Sequence, residues 1–332
     1  MKKIYFLTLL LVSGFSFAQL VESFSFTGGL TTNGWLTHSA GTTPGPLSTT
    51  TGSLSYSGIT SSGNKVALVA GNSDDLNKAI PTGALTGVAY YSTILNVPNV
   101  TGLPANTTIG DYGLMFSTTT GTTSVTAFSG RIYIRAGSSA NSFNIGVLNN
   151  SGGTAAPTFV ATEYAVNAPI FIVVKYDLST NTASLFVNPA IGGTEGTPTA
   201  TNATGTTPAP TSIAAIALRQ GGSATSGTGN VEFDEMRAAA TYAAVTGPVL
   251  KTIQNTIDGL EIFPNPVTGS VLNINTSLNG TKAISVFDLL GKQVLSVTTD
   301  TNSINVSNLN QGIYFIKISE EGKTATRKLV VR

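Results

Sequence analysis

The chain has 332 residues and no cysteine, and only 10% of its residues are charged: 17 Lys and Arg against 16 Asp and Glu, a formal net charge of +1. Basic residues scattered singly make no footprint for nucleic acid, and a cysteine-free chain has neither a disulfide framework nor thiolate metal sites. Solubility must then rest on hydroxyls and amides, and stability on an extended apolar core.

Lys2-Lys3, the apolar run Ile4 to Phe15 and the small-residue order Ser16-Phe17-Ala18 make a secretory leader, with cleavage expected after Ala18. No later apolar run approaches the length of a membrane helix, so the expected mature chain crosses no membrane by a helix. Short β-branched or aromatic segments bounded by Gly, Asn, Pro, Ser or Thr then follow at 20–27, 53–59, 65–69, 88–97, 112–117, 131–135, 143–148, 169–178, 182–187, 212–218 and 231–237. Strands at this spacing predict an antiparallel sandwich, and helical periodicity appears nowhere after the leader. Arg131-Ile132-Tyr133-Ile134-Arg135 alternates, with the isoleucines on a core face and Arg, Tyr, Arg on a wet one. Ile170-Phe171-Ile172-Val173-Val174 is apolar throughout, which predicts a central strand covered on both faces. Residues 189–212 are Gly, Thr, Ala and Pro with the single charge Glu195, and read as a long flexible loop. A break at Gly247-Pro248 separates a large domain at 19–242 from a linker at 243–258 and a small domain at 259–332. Seven short apolar runs in the last part suggest an immunoglobulin-like sandwich, so the fold class is all-β: a large antiparallel sandwich and a small one.

No catalytic residue is assigned. In Val231-Glu232-Phe233-Asp234-Glu235-Met236-Arg237, strand alternation puts Glu232, Asp234 and Met236 on one face, so methionine stands where a second carboxylate of a retaining glycosidase would be needed. The strand reads as a closing one, with Phe233 in the core and its charges paired locally. A lone histidine, His38, builds no metal cluster, and no Gly-x-Ser-x-Gly elbow or Gly-x-Gly-x-x-Gly phosphate loop accompanies it. Two binding candidates remain. Asn72, Asp74 and Asp75, in the acidic turn 71–77, offer the hard oxygens that calcium prefers. Tyr133 with Arg131 and Arg135, and Trp35 elsewhere, offer rings and donors for a sugar face.

The tail carries a specific resemblance. Phe263-Pro264-Asn265-Pro266, Val286-Phe287-Asp288-Leu289-Leu290-Gly291-Lys292, Gln311-Gly312-Ile313-Tyr314-Phe315-Ile316-Lys317-Ile318 and the closing Lys328-Leu329-Val330-Val331-Arg332 resemble, in that order, the type A C-terminal sorting domain of the type IX secretion system of Bacteroidetes. Pro264, Asn265, Pro266, Gly291, Gly312, Tyr314 and Lys328 are its landmarks here. The resemblance implies export to the outside or to the outer-membrane surface, with the translocon and a sortase-like protease as partners of the tail. Glu22-Ser23-Phe24, Asn33-Gly34-Trp35, Asp74-Asp75-Leu76-Asn77-Lys78, Gly110-Asp111-Tyr112, Ser184-Leu185-Phe186-Val187-Asn188-Pro189, Ile216-Ala217-Leu218-Arg219-Gln220 and Phe233-Asp234-Glu235-Met236-Arg237 look like the concanavalin A-like, laminin G-like jelly roll. That resemblance spans about 20–245 and implies a module for polysaccharide or glycan recognition or adhesion, often holding one calcium. A polysaccharide hydrolase and a purely structural surface protein are the alternatives.

Overall fold

A computed structural model describes residues 19–41, 45–221, 227–247, 257, 259–277, 280–321 and 323–332; the leader lies outside the described residues. The chain forms two compact units that divide between residues 249 and 250.

Unit 1 is a jelly-roll sandwich of two antiparallel sheets. Sheet I contains Leu20–Glu22 (β1), Thr49–Thr51 (β3), Asn64–Leu68 (β4), Val88–Asn96 (β6), Ile170–Asp177 (β12), Thr182–Val187 (β13), Ala200–Asn202 (β14) and Val231–Ala239 (β16). Its order is β14-β13-β12-β6-β16-β4-β3, with β1 also beside β16. Sheet II contains Leu36–Ser39 (β2), Asp75–Ala79 (β5), Asp111–Ser117 (β7), Phe128–Ala136 (β8), Ser142–Leu148 (β9), Thr158–Phe159 (β10), Tyr164–Ala165 (β11) and Ala215–Leu218 (β15), in the order β10-β9-β8-β7-β15-β5-β2, with β11 also beside β9. Both sheets feed one core, in which Tyr91, Leu95, Ile172, Val174 and Phe233 meet Leu114, Phe116, Ile132, Ile134 and Ile216.

Sheet I is covered on its other face as well. Ile94, Phe171, Val173 and Phe186 turn away from the main core and are buried by Leu54 and Ile59, by Ile191, and by Tyr242, Ala244 and Val245 of the short helix Tyr242–Thr246 (α1). This second layer is why β12 reads as a continuous apolar run. It also corrects two expectations. Residues 53–59 form no extended strand but a strap closed by the Tyr56–Ile59 bridge, because Leu54 and Ile59 are drawn down onto the sheet. The segment 189–212 is tethered: Glu195 pairs with Lys175 at 2.8 Å and accepts the Tyr90 hydroxyl, and 200–202 adds β14 to the sheet. Residues 243–247, at the head of the expected linker, are packed on sheet I with α1.

The charged closing strand β16 fastens these coverings. Asp234 Oδ2 accepts the Leu54 N–H at 2.8 Å, Glu235 Oε1 accepts the Ser62 N–H at 3.3 Å, and Arg237 donates to the Gly247 carbonyl at 2.6 Å. A bulge with Glu235 at φ 49° breaks simple alternation between Asp234 and Arg237. Met236 therefore joins Phe233 in the main core, not Asp234 on the outer face as two-residue alternation requires. Asp234, Glu235 and Arg237 are all almost fully buried, so they act as internal ties.

Unit 2 has seven strands among its described residues. Glu261–Phe263 (β17), Val271–Asn275 (β18) and Ser303–Asn305 (β21) make one sheet; Lys282–Phe287 (β19), Gln293–Thr299 (β20), Gly312–Glu320 (β22) and Lys323–Val331 (β23) make the other, in the order β20-β19-β22-β23. Strict alternation in β22 sends Tyr314, Ile316 and Ile318 inward against Leu272, Ile274, Ile284, Val286 and Leu329.

Candidate functional site

The outer face of sheet II carries an open cleft of about 360 Å3, lined by His38, Ser39, Asp75, Tyr112, Ser124, Val125, Thr126, Phe128, Arg131 and Arg219. Two backbone features and one buried side chain build it. A bulge between Tyr112 and Leu114 lets Leu114 enter the core while Tyr112 pairs with Tyr133 on the outer face. Alternation along β8 places Arg131 on that same face. The cleft's far wall, within 118–127, is held across the sheet by Asn77, which is fully buried. Its Oδ1 accepts the Thr120 hydroxyl at 2.8 Å and the Gly121 N–H at 3.1 Å, and its Nδ2 donates to the Gly121 carbonyl at 2.8 Å.

The centre of the cleft is the Tyr112 ring between two guanidinium groups, Arg219 at 4.4 Å and Arg131 at 5.0 Å from its centroid. Arg219 is paired with Asp111 at 2.5 Å, whereas Arg131 donates to the Phe128 carbonyl and has no carboxylate within ion-pair distance among the described residues. Burial is the main influence that raises the Asp75 carboxyl to about 6; the nearby carboxylates of Asp111 and Asp74 push the same way, against the Gln220 N–H and the Arg219 charge. Burial lowers His38. Its Nδ1 faces Asn77 Nδ2 at 3.1 Å. A second hollow of about 330 Å3, walled by hydroxyl and amide groups of Thr118, Ser129, Asn150, Ser151, Thr207, Thr211 and Ser212, shares Phe128 with the first. Donors, acceptors, a ring face and a carboxylate thus line one continuous surface, a combination suited to polyhydroxylated ligands.

The sequence-predicted residues are only partly gathered here. Arg131 lines the cleft. Tyr133 is 6% exposed and packs against Tyr112 at 5.3 Å, so it supports the ring that reaches solvent. Arg135 is drawn away, over the Phe159 ring at 3.8 Å, donating to Thr108 O and Asn144 Oδ1. Trp35 is wholly buried: it donates to Glu22 Oε2 at 3.1 Å and stacks near Phe24, with the Lys78 ammonium 5.8 Å from its ring and ion-paired to Glu22. That corrects its reading as a ligand contact, since a ring with no exposed surface touches no sugar. Tyr112, Asp75, His38 and Arg219 are the residues that sequence reasoning did not bring together. The one signal available was the aromatic-plus-charge content of 111–112 and 218–220, whose proximity only the β7–β15 pairing reveals.

The expected calcium ligands do not form a cage. Asp75 opens β5 and accepts the Gln220 N–H at 3.0 Å, the Asp74 carbonyl accepts Gln220 Nε2 at 3.2 Å, and the Asn72 side chain packs against Gly45. Asp74 Oδ1 is buried and unpartnered, yet no group of three or more His, Asp or Glu side chains gathers for a metal among the described residues. The cation beside Asp75 is Arg219. These residues do not fit the six to eight oxygens that calcium takes.

The tail landmarks are structural ties of unit 2. Asn265, between two cis prolyl bonds at Pro264 and Pro266, donates to the Lys328 carbonyl at 2.8 Å and accepts the Val330 N–H at 3.0 Å, which clamps the entry segment to β23. Asp288 Oδ1 accepts the N–H groups of Leu290 and Lys292 around the turn that needs Gly291 at φ 83°. Tyr314 is buried with its hydroxyl on the Asn310 carbonyl at 2.8 Å, two residues after Gly312 opens β22. The Lys328 side chain is exposed.

Residues 261–332 match the secretion system C-terminal sorting domain. The tail therefore marks the chain for type IX export, to the outside or to the cell surface. No curated protein matches the chain. Among solved structures, a sialidase is similar at 12% identity over 68% of this chain and 19% of its own, with a TM-score of 0.37. The Emp47p carbohydrate recognition domain is similar at 14% identity over 63% and 96% of the two chains, TM-score 0.33. The VIP36 exoplasmic/lumenal domain in a Ca2+/Man3GlcNAc-bound form is similar at 12% over 54% and 81%, TM-score 0.32. The chain spans about a fifth of the length of the sialidase. No described helix is long and apolar enough to cross a membrane.

Proposed function

We propose that the chain is an exported glycan-recognition or adhesion protein without catalytic activity, and that its ligand lies in the sheet II cleft. The observation that carries this reading is the Tyr112 ring flanked by Arg131 and Arg219 at the open face, with Asp75, His38 and three hydroxyl side chains around it. The solvent-reaching edge of the Tyr112 ring gives an apolar contact to the C–H groups of a sugar, while the two guanidinium groups and the surrounding hydroxyls take its oxygens. Phe128, common to the two hollows, lets a ligand longer than one sugar lie along the sheet. Calcium is no part of this site.

Titration calorimetry of the full chain against a panel of neutral and uronic-acid oligosaccharides tests the proposal. We expect one class to bind and Tyr112→Ala to weaken it about tenfold, the scale of a ring contact worth roughly 1 kcal/mol or more. Binding unaffected by Tyr112→Ala moves the ligand out of the cleft and overturns the site; no binding to any glycan overturns the recognition reading in favour of a structural role.

One observation favours a hydrolase as the second reading. Asp75, raised to about 6 chiefly by burial, lines the cleft, and a carboxyl whose ionisation is moved toward neutrality is one that can serve as an acid. Asp111 is held by Arg219, and Asp75 by the Gln220 N–H, so neither is poised for a nucleophilic step. Release of reducing ends from any panel member, abolished by Asp75→Asn, decides for the hydrolase.

A further inference from the structure

Unit 2 contains a buried charged cluster. Lys282 opens β19 and stands directly opposite Glu320 at the end of β22. Their side chains are 2% and 0% exposed, with Nζ and Oε1 3.2 Å apart. Lys282 Nζ is also 3.2 Å from Asn302 Oδ1. Asn302 immediately precedes β21, and its backbone carbonyl accepts the Ile274 N–H, so it belongs to the opposing sheet. One amine therefore touches a carboxylate on its own sheet and a carboxamide on the other.

Three features distinguish this group from a surface ion pair. Both charges are withdrawn from water in a small domain, where desolvation offsets most of the attraction between them. Glu320 Oε1 accepts the Gly280 N–H at 3.0 Å, but Oε2 is buried with no hydrogen-bond partner among the described residues. The amine already hydrogen-bonds the Asn302 carboxamide oxygen at 3.2 Å, which holds it beside the carbon to which that oxygen is bonded. The chain, moreover, has no cysteine with which to staple an exported domain of this size.

We propose that Lys282 and Asn302 join through an intramolecular isopeptide bond, with Glu320 as the proton carrier. The Lys282 ammonium gives one proton to the Glu320 carboxylate, and the neutral Nζ attacks Asn302 Cγ, forming the new C–N bond. Glu320 delivers its proton to Asn302 Nδ2 and takes one from the attacking nitrogen; the Cγ–Nδ2 bond breaks and ammonia leaves. The products are a secondary amide, ammonia and a protonated Glu320, so atoms and charge balance and no oxidant or reductant enters. Reaction converts a buried ion pair into neutral groups, which a low-dielectric interior favours. Asn302 itself is exposed, which gives ammonia a way out. The bond ties β19 to the start of β21, crossing from one sheet to the other and closing a loop of 20 residues, and it restricts the unfolded chain as a disulfide does.

Tryptic mapping of the folded full chain by mass spectrometry is the test. The expected result is one branched peptide in which 252–292, uncut after Lys282, is joined to 293–317 with the loss of one ammonia. Peptide mapping is needed because an N-terminal glutamine that cyclises loses the same mass. In Glu320→Gln the two peptides are expected separate, with cleavage after Lys282; a branched peptide there would remove Glu320 from the reaction. Linear peptides from wild-type protein whose β-sheet circular dichroism shows it folded overturn the proposal outright, whatever the variant does.

Discussion

The two outer faces of unit 1 differ more than the two sheets that carry them. Behind sheet I lie a strap, a tethered loop and a short helix that bury Phe171, Val173, Ile94 and Phe186 in a second apolar layer. Behind sheet II the comparable area is open, and its side chains are a tyrosine, two arginines, an aspartate and a histidine. A face closed by apolar packing contributes stability, and its charged residues serve as fasteners. A face left open, with a ring and guanidinium groups held in place by a buried asparagine and a bulge, is free to recognise something else. Aromatic residues alone do not distinguish them, since Tyr90 and Tyr242 belong to the closed face and Tyr112 to the open one.

The contrast can be broken first at its apolar layer. Phe171→Ala, at a wholly buried position, should lower the free energy of unfolding of unit 1 by about 3–5 kcal/mol in urea titrations while leaving ligand affinity at the cleft unchanged. A loss under about 1 kcal/mol means that the second layer is not a true core.

A fastener gives the next effect, through pH. Asp234 is raised from 3.8 to about 7, chiefly by burial, with Glu235 pushing the same way. A carboxyl that holds its proton more tightly when folded favours the folded state most below its ordinary value. That contribution is lost as pH rises from about 4 to about 7. Melting temperature should therefore fall across this window in the wild type and fall less in Asp234→Asn; parallel profiles contradict the assignment.

Effects on the open face should appear in binding before stability. Asp75 loses its charge below about 6, so affinity for a ligand whose hydroxyl donates to it should drop as pH falls through that value, and Asp75→Asn should flatten the profile. A pH-independent affinity in the wild type removes Asp75 from the contact. The smallest change is expected from Arg135→Ala, because that guanidinium lies over Phe159 and outside the cleft; a loss of affinity comparable to Tyr112→Ala would redraw the site toward β9 and β10.

Much of this organisation was legible from residues. The order of landmarks in the tail identifies a sorting domain, and each landmark that ties the domain together is a residue whose chemistry is local: an asparagine that pairs with backbone, a glycine at positive φ, a tyrosine hydroxyl on a nearby carbonyl. The all-β class and the doubly covered strand β12 follow from alternation and from its absence, because burial on one face or two writes itself directly into periodicity. The strands β2 and β5 were not legible. Leu36-Thr37-His38-Ser39 and Asp75-Leu76-Asn77-Lys78-Ala79 are polar enough to read as turns, and they are strands only because each pairs with a neighbour distant in sequence.

Residue order dictates the periodic and the local: an all-β chain in two sandwiches, a core drawn from alternate positions, and a tail that carries an address. Tertiary structure alone decided which polar residues face one another. Two bulges, at Tyr112 and Glu235, reverse the side-chain parity on which any reading of β7 and β16 depends, and the β15–β7 pairing brings Arg219 to Tyr112 from 107 residues away. Alternation reports which way a side chain points only while the ladder is regular. The cleft exists because the ladder is interrupted, and its partners come from strands that sequence distance keeps apart.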